Sequence, residues 1–201
     1  MITIVDYGMG NLGSILNMIK KTGFAATITS DKNEILKAKK LVLPGVGSFD
    51  SAMNNLENLD LIEILNKKAL DERIPILGIC LGMQIMTNSS EEGRKKGFGW
   101  INASTINFPF SREYKIPHMG WNIPKSFKKH EIFKNLDSSS KFYFVHSYFV
   151  ETVKKENSLM KVNYGITFDA AIFDRNIIGL QFHPEKSHKY GMEIFKNFAV
   201  I

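Results

Sequence analysis

"PILGICLGMQIM" (residues 75–86) holds the joint from which the rest of the chain can be read. An apolar run ends in Gly78, the chain's one cysteine follows at Cys80, and Gly82 opens a segment of helix-forming residues. A buried strand that passes directly into a helix is the joint of a β-α unit, and repeated units of this kind imply a parallel sheet with helices on both faces. Upstream, "ITIVDY" (2–7) reads as a buried strand, followed by a glycine-rich turn and a helix over about 11–22. "AATITS" (25–30) is strand-like, and Ser30 or Asp31 is placed to cap a short helix running to about Lys37. "KLVLPG" (40–45) supplies a third strand. Helices are expected over about 48–56 and 59–71, the second with Leu61, Ile64, Leu65 and Ala69 at core spacing. The fourth strand covers 74–79, and "LGMQIMTN" (81–88) turns back into helix.

From about 99 to 182 the pattern changes to strands and loops: "FGWINASTINF", "KFYFVHSYFV", "LMKVNY", "TFDAAIFD" and "NIIGLQF". Hairpin-length links such as "FDRNII" (173–178) predict antiparallel additions to the same sheet. The closing segment "SHKYGMEIFKNFAV" is amphipathic, with Met192, Phe195, Phe198 and Ala199 on its apolar side. The expected fold is α/β: an open, mostly parallel sheet flanked by helices, with antiparallel additions in the C-terminal half. No repeat or long linker divides the 201 residues, so one domain spanning 1–201 is expected.

A lone cysteine excludes an intramolecular disulfide framework and fits a reducing compartment. The N-terminus lacks the basic-then-apolar pattern of a signal peptide, and no apolar run approaches the roughly 20 residues of a membrane span. A cytoplasmic protein with no membrane contact is therefore expected. The net charge of +6 raises nucleic-acid binding, but the lysine pairs at 20–21, 39–40, 67–68, 128–129 and 154–155 are scattered. A nucleic-acid surface concentrates charge on one element and interleaves aromatics; a solvated lysine surface fits better.

Two glycine loops precede the cysteine. "GMGNLG" (Gly8–Gly13) matches G-x-G-x-x-G between a strand and a helix, with Asp31 near the ribose-acid distance. The polar Asp6 and bulky Tyr7 fit that fingerprint poorly, so a dinucleotide module and a plain glycine turn both stay open. "PGVGSF" (44–49) lacks a phosphate-loop lysine and leaves backbone N–H groups uncovered at a strand's C-terminal end.

Gly78-Ile79-Cys80-Leu81-Gly82 has the G-x-nucleophile-x-G form of a nucleophile elbow, with cysteine as nucleophile. The flanking glycines remove side chains that would collide across the turn. The helix start after the turn favours thiolate, and the Leu81 N–H can meet an oxyanion. A small buried cysteine fits the same spacing, and the elbow alone does not separate the two readings. Among five histidines, His183 stands apart. His118 and His130 lie in polar, loop-like surroundings, His146 sits in an aromatic strand as a core histidine would, and His188 opens the last helix. In "LQFHPEKS", Pro184 holds His183 extended, so His183 and Glu185 project to one side as base and orienter. No histidine or cysteine spacing suggests zinc, and neither metal nor cofactor is expected.

"PGVGSF", "GICLGMQ" and "QFHPEKS", in that order, resemble the class I (triad) glutamine amidotransferases. "DYGMGN", "PHMGWN" (117–122) and "FVHSY" resemble in particular the glutaminase subunits of imidazole glycerol phosphate synthases, over residues 2–199. The resemblance implies a flavodoxin-like sheet and hydrolysis of L-glutamine to glutamate and ammonia. It assigns Cys80 as nucleophile, His183 as acid-base and Glu185 as its support. Backbone N–H groups near Val46 and at Leu81 would form the oxyanion hole, and Gly45, Gly47, Gln84, Glu92, Ser147 and Tyr148 would bind glutamine. A separate (β/α)₈-barrel synthase subunit would receive the ammonia, facing Asn11, Met119 and Trp121. The dinucleotide match then becomes coincidental. Residues 93–110 and the C-terminal helix fit this subunit type loosely, which keeps a paralogous subunit supplying ammonia for surface-sugar amidation or amidine formation as the alternative acceptor. A related Cys-elbow hydrolase or stress factor would leave "HPE" and Gln84 without a purpose.

Overall fold

The computed structural model describes residues 1–112 and 114–201. Its first half is β1 (Ile2–Val5), α1 (Leu12–Lys21), β2 (Ala26–Thr29), α2 (Lys32–Lys37), β3 (Leu41–Leu43), α3 (Phe49–Asn58), α4 (Ile62–Asn66), β4 (Ile76–Ile79) and α5 (Leu81–Gln84). The second half is β5 (Ala103–Asn107), β6 (His118–Asn122), β7 (Pro124–Phe127), β8 (Phe142–His146), β9 (Tyr148–Thr152), β10 (Ser158–Tyr164), β11 (Ile166–Asp174), β12 (Ile177–Leu180) and α6 (His188–Val200). Strands run β2-β1-β3-β4-β12-β11-β10-β7, and β9 joins β11 to β5. The first five are mutually parallel and β11 turns antiparallel through the predicted hairpin. With β12 as fifth strand this is the flavodoxin-like order, which places ligands at the carboxyl ends of the strands.

The parallel strands are buried on both sides, and their alternation divides the core into two. Ile2, Ile4, Val42, Leu77, Ile79, Ile178 and Leu180 meet Ile15 and Ile19 of α1 and Phe195 and Phe198 of α6 on one face. Val5, Leu41, Leu43, Ile76 and Ile177 meet Ile35, Ala52, Leu56 and Leu65 from α2–α4 on the other. Asp31 caps α2 by accepting the Asn33 and Glu34 amides.

Several expectations are corrected. The helix after the cysteine lasts a single turn, Leu81–Gln84, because residues 85–101 fold back against it: the Phe98 amide donates to the Ile85 carbonyl and the Ile101 amide to Met86. The 59–71 helix is α4 followed by a wider π turn at Lys67–Asp71. Ile64, Met192 and Ala199 are only half-buried, and Ile194 lies in the core instead. "PHMGWN" forms β6, which pairs with β8 in a separate two-stranded ribbon. His118 therefore sits inside that ribbon, 2% exposed and stacked on Phe144 and Tyr164, where a loop was expected. The solvated lysine surface has exceptions. Lys68 is buried and its Nζ donates to the Leu36 carbonyl and Glu72, while Lys40 donates to the last carbonyls of α6.

Candidate active site

Three neighbouring strands deliver the site. β3 leads into Pro44–Gly47, β4 into Cys80, and β12 into Gln181–His183, all at the carboxyl end of the parallel strands. Cys80 has φ +54° and ψ −109°, a left-handed conformation that a non-glycine residue adopts only under constraint. The constraint is crowding. A Cβ on Gly82 would lie 1.8 Å from the Leu43 carbonyl oxygen, and one on Gly78 would lie 2.6 Å from the Gly82 oxygen. The elbow therefore requires glycine at both flanks, as its spacing implies. Gly45 packs on the turn, where a Cβ would come 2.7 Å from Leu81 Cβ. The buried Tyr7 hydroxyl secures that loop by donating to the Pro44 carbonyl.

His183 Nδ1 lies 2.7 Å from Glu185 Oε1, both side chains are buried, and the Pro184–Lys186 turn brings them together. Among the described residues, neither His183 Nε2 nor Glu185 Oε2 has a hydrogen-bond partner. Burial alone would push the imidazole down, but interaction with Cys80 and then Glu185 outweighs it, raising His183 to about 10. The surroundings therefore favour a protonated His183 imidazole at neutral pH. The Cys80 sulfur also has the Val145 carbonyl and the Gln181 amide at 3.8 Å.

A cleft of about 230 Å³ opens over the sulfur, lined by Val46, Gly47, Cys80, Leu81, Gln84, Glu92, Pro117, Val145, His146, Ser147, Tyr148 and His183. Nine of the residues expected at the site, from Val46 to His183, thus share one wall system, while Gly45 supports the elbow and Glu185 stands behind the imidazole. Leu81, first residue of its helix, has an amide with no intrahelical acceptor and so is available to an oxyanion. Gln84 donates to the Tyr148 carbonyl (3.1 Å) and to Gln181 Oε1 (3.2 Å), and Glu92 accepts the Phe49 amide at 2.8 Å. Asn11, Met119 and Trp121 do not line the cleft. Asn11 caps α1 by accepting the Ser14 amide, and Met119 and Trp121 stand exposed on β6. Gly10, in the dinucleotide-like loop, has φ +94° and lies against Pro44, which accounts for that glycine in backbone terms.

The sequence reading missed Gln181, His146 and Pro117 at the site. Gln181 was the most findable of the three: it is a glutamine inside the apolar run "NIIGLQF" and proves fully buried.

The sequence profile of the family "Glutamine amidotransferase class-I" matches residues 3–201. A Methanococcus maripaludis protein named "Imidazole glycerol phosphate synthase subunit HisH 2" is 59% identical over 198 residues, 98% of each chain. A Pseudomonas aeruginosa protein of the same name is 43% identical, covering 99% of this chain and 98% of its own. A solved structure titled "Crystal structure of glutamine amidotransferase" superposes over the full length of both chains with TM-score 0.75 at 15% identity, a likeness of fold. With the elbow cysteine, the buried His-Glu pair and the cleft above them, the conclusion is direct: this chain belongs to the class I glutamine amidotransferases.

Proposed function

We propose that the chain is the glutaminase subunit of an imidazole glycerol phosphate synthase. The observation that carries the chemistry is the strained Cys80 sharing a cleft with His183, whose far side is held by Glu185 at 2.7 Å. The Cys80 thiolate attacks the carboxamide carbon of L-glutamine, and the oxyanion meets the Leu81 N–H and a backbone N–H at Val46. The His183 imidazolium gives its proton to the departing nitrogen, releasing ammonia and leaving a glutamyl thioester. Neutral His183 then takes a proton from water as its oxygen attacks the thioester carbon, the C–S bond breaks to give glutamate, and the Cys80 thiolate leaves beside the regenerated imidazolium. Gln84, Glu92, Ser147, Tyr148 and the Gly45–Gly47 loop hold the amino-acid end, with the Glu92 carboxylate toward the α-ammonium.

The names of the relatives support the choice of acceptor over a surface-sugar paralogue. Under this reading the ammonia passes to a separate (β/α)₈-barrel subunit that forms imidazole glycerol phosphate and an aminoimidazole carboxamide ribotide in histidine synthesis. Met119, Trp121 and Asn11 face that partner. The test is labelling with a glutamine-mimicking alkylator, followed by glutamine turnover with and without the barrel subunit and its nucleotide. Label confined to Cys80, lost in Cys80→Ala, and turnover rising strongly with the partner are expected. Label that persists in Cys80→Ala would exclude the mechanism.

A further inference from the structure

One backbone carbonyl, Tyr148 O, receives two side chains from opposite directions: His146 Nδ1 at 2.8 Å and Gln84 Nε2 at 3.1 Å. A carbonyl can only accept, so both neighbours must donate, and this fixes every group beyond them. On one side His146 carries its proton on Nδ1, so its Nε2 must accept. The atom facing it at 3.0 Å, His118 Nδ1, must then donate, and His118 Nε2 accepts from the Asn122 amide at 3.3 Å. On the other side Gln84 uses its second N–H on Gln181 Oε1 at 3.2 Å, which turns the Gln181 amide nitrogen toward Cys80 Sγ at 3.8 Å. The four side chains His118, His146, Gln84 and Gln181 are all 6% exposed or less.

We propose that this buried chain, oriented in both directions from the Tyr148 carbonyl, holds an N–H of Gln181 on the Cys80 sulfur and makes Gln181 a catalytic residue that favours the thiolate. His118 and His146 are positioning residues of the same chain: they seat the Tyr148 carbonyl that orients Gln84, and Gln84 in turn orients Gln181. Both histidines are held neutral, as the pattern requires. Burial lowers His118 to about 4, and burial, only partly opposed by the hydrogen bond to Tyr148, lowers His146 to about 3. A network in which each member has one permitted donor direction polarises cooperatively and resists rotation. The role of Gln181 in turnover rests on the glutaminase reading, but its effect on the sulfur does not.

Two measurements test it. In ¹⁵N-imidazole spectra of the intact protein at neutral pH, His118 and His146 are both expected as neutral Nδ1–H tautomers, the form disfavoured in free histidine. An Nε2–H tautomer at either residue would overturn the chain. The second measurement is the pH profile of Cys80 alkylation by iodoacetamide, which needs neither glutamine nor a partner. Gln181→Glu keeps the acceptor toward Gln84 and replaces the N–H on sulfur with oxygen. Its profile should move to higher pH by about one unit, a roughly tenfold slower reaction on the acid limb. A profile coinciding with the unsubstituted protein would sink the proposal. Displaced alkylation, alongside glutamine turnover that stays absent in the unsubstituted protein even with the barrel subunit and its nucleotide added, would uphold the chain while removing the glutaminase reading.

Discussion

At the residue scale the triad is governed by what each partner does to His183. Its imidazole is buried, which alone would favour the neutral ring, yet Cys80 and Glu185 together raise it from 6.5 to about 10. A group whose folded pKa is raised adds stability that is complete below the unfolded value and disappears as pH climbs through the folded one. His183 therefore stabilises the native state below about pH 6.5 and loses that contribution between there and about pH 10. Under the proposed mechanism the same titration removes the acid that protonates the departing nitrogen, so glutamine turnover should fall on the alkaline side. In Glu185→Gln one of the two raising influences becomes neutral, and the alkaline limb of kcat/KM should move toward lower pH by roughly one unit. The pH profile of the variant with its partner subunit present reads this directly. An unmoved alkaline limb would mean that Glu185 orients the ring without tuning it.

At the element scale, what was legible depended on whether apolar residues pointed inward. β1, β3 and β4 are buried on both faces and read as continuous apolar runs, so the parallel sheet was evident from "ITIV", "LVL" and "ILGI"; "IIGL" of β12 is equally apolar, but its hairpin link to β11 gave only the antiparallel neighbour and not the parallel pairing with β4. The placement of Cys80, His183 and Glu185 at one candidate site was legible because the local backbone that each requires left a trace in glycine or proline. β6 was missed because its alternation is inverted: His118 is buried while Met119 and Trp121 face outward. Lys68 was misread for a related reason. A lysine pair in a helix reads as solvated, but Lys68 points into the junction between α2 and α4, where its ammonium serves the Leu36 carbonyl and Glu72. Its burial is compensated by charge-assisted hydrogen bonds, so Lys68→Ala should cost about 2–3 kcal/mol of unfolding free energy. Urea denaturation measures that cost. A variant within about 0.5 kcal/mol of the unsubstituted protein would show the contact to be incidental.

At the scale of the whole molecule, the β6–β8 ribbon has two faces with different duties. Inward it presents His118 and His146 to the buried chain behind the cleft, and β8 ends beside Ser147 at the cleft wall. Outward it presents Met119, 61% exposed, and Trp121, 47% exposed, with Trp121 stacked on His188 at the start of α6 (centroids 5.3 Å apart, planes 13° apart). Exposed aromatics and methionine rimmed by polar residues are what a protein interface enriches, and a tryptophan already braced by a neighbouring ring loses little entropy on docking. This placement supports the reading that the barrel subunit seats on the ribbon, next to the cleft from which ammonia must leave. Because the indole lies outside the cleft, its loss should separate association from nucleophile chemistry. Trp121→Ala is expected to weaken binding of the barrel subunit by tenfold or more, on the order of 2 kcal/mol. Cys80 alkylation by iodoacetamide in the isolated chain should be unchanged. Calorimetric titration and the alkylation rate report the two halves independently. Unaltered affinity would move the partner surface away from β6, and slowed alkylation would mean that the two faces of the ribbon are not separable.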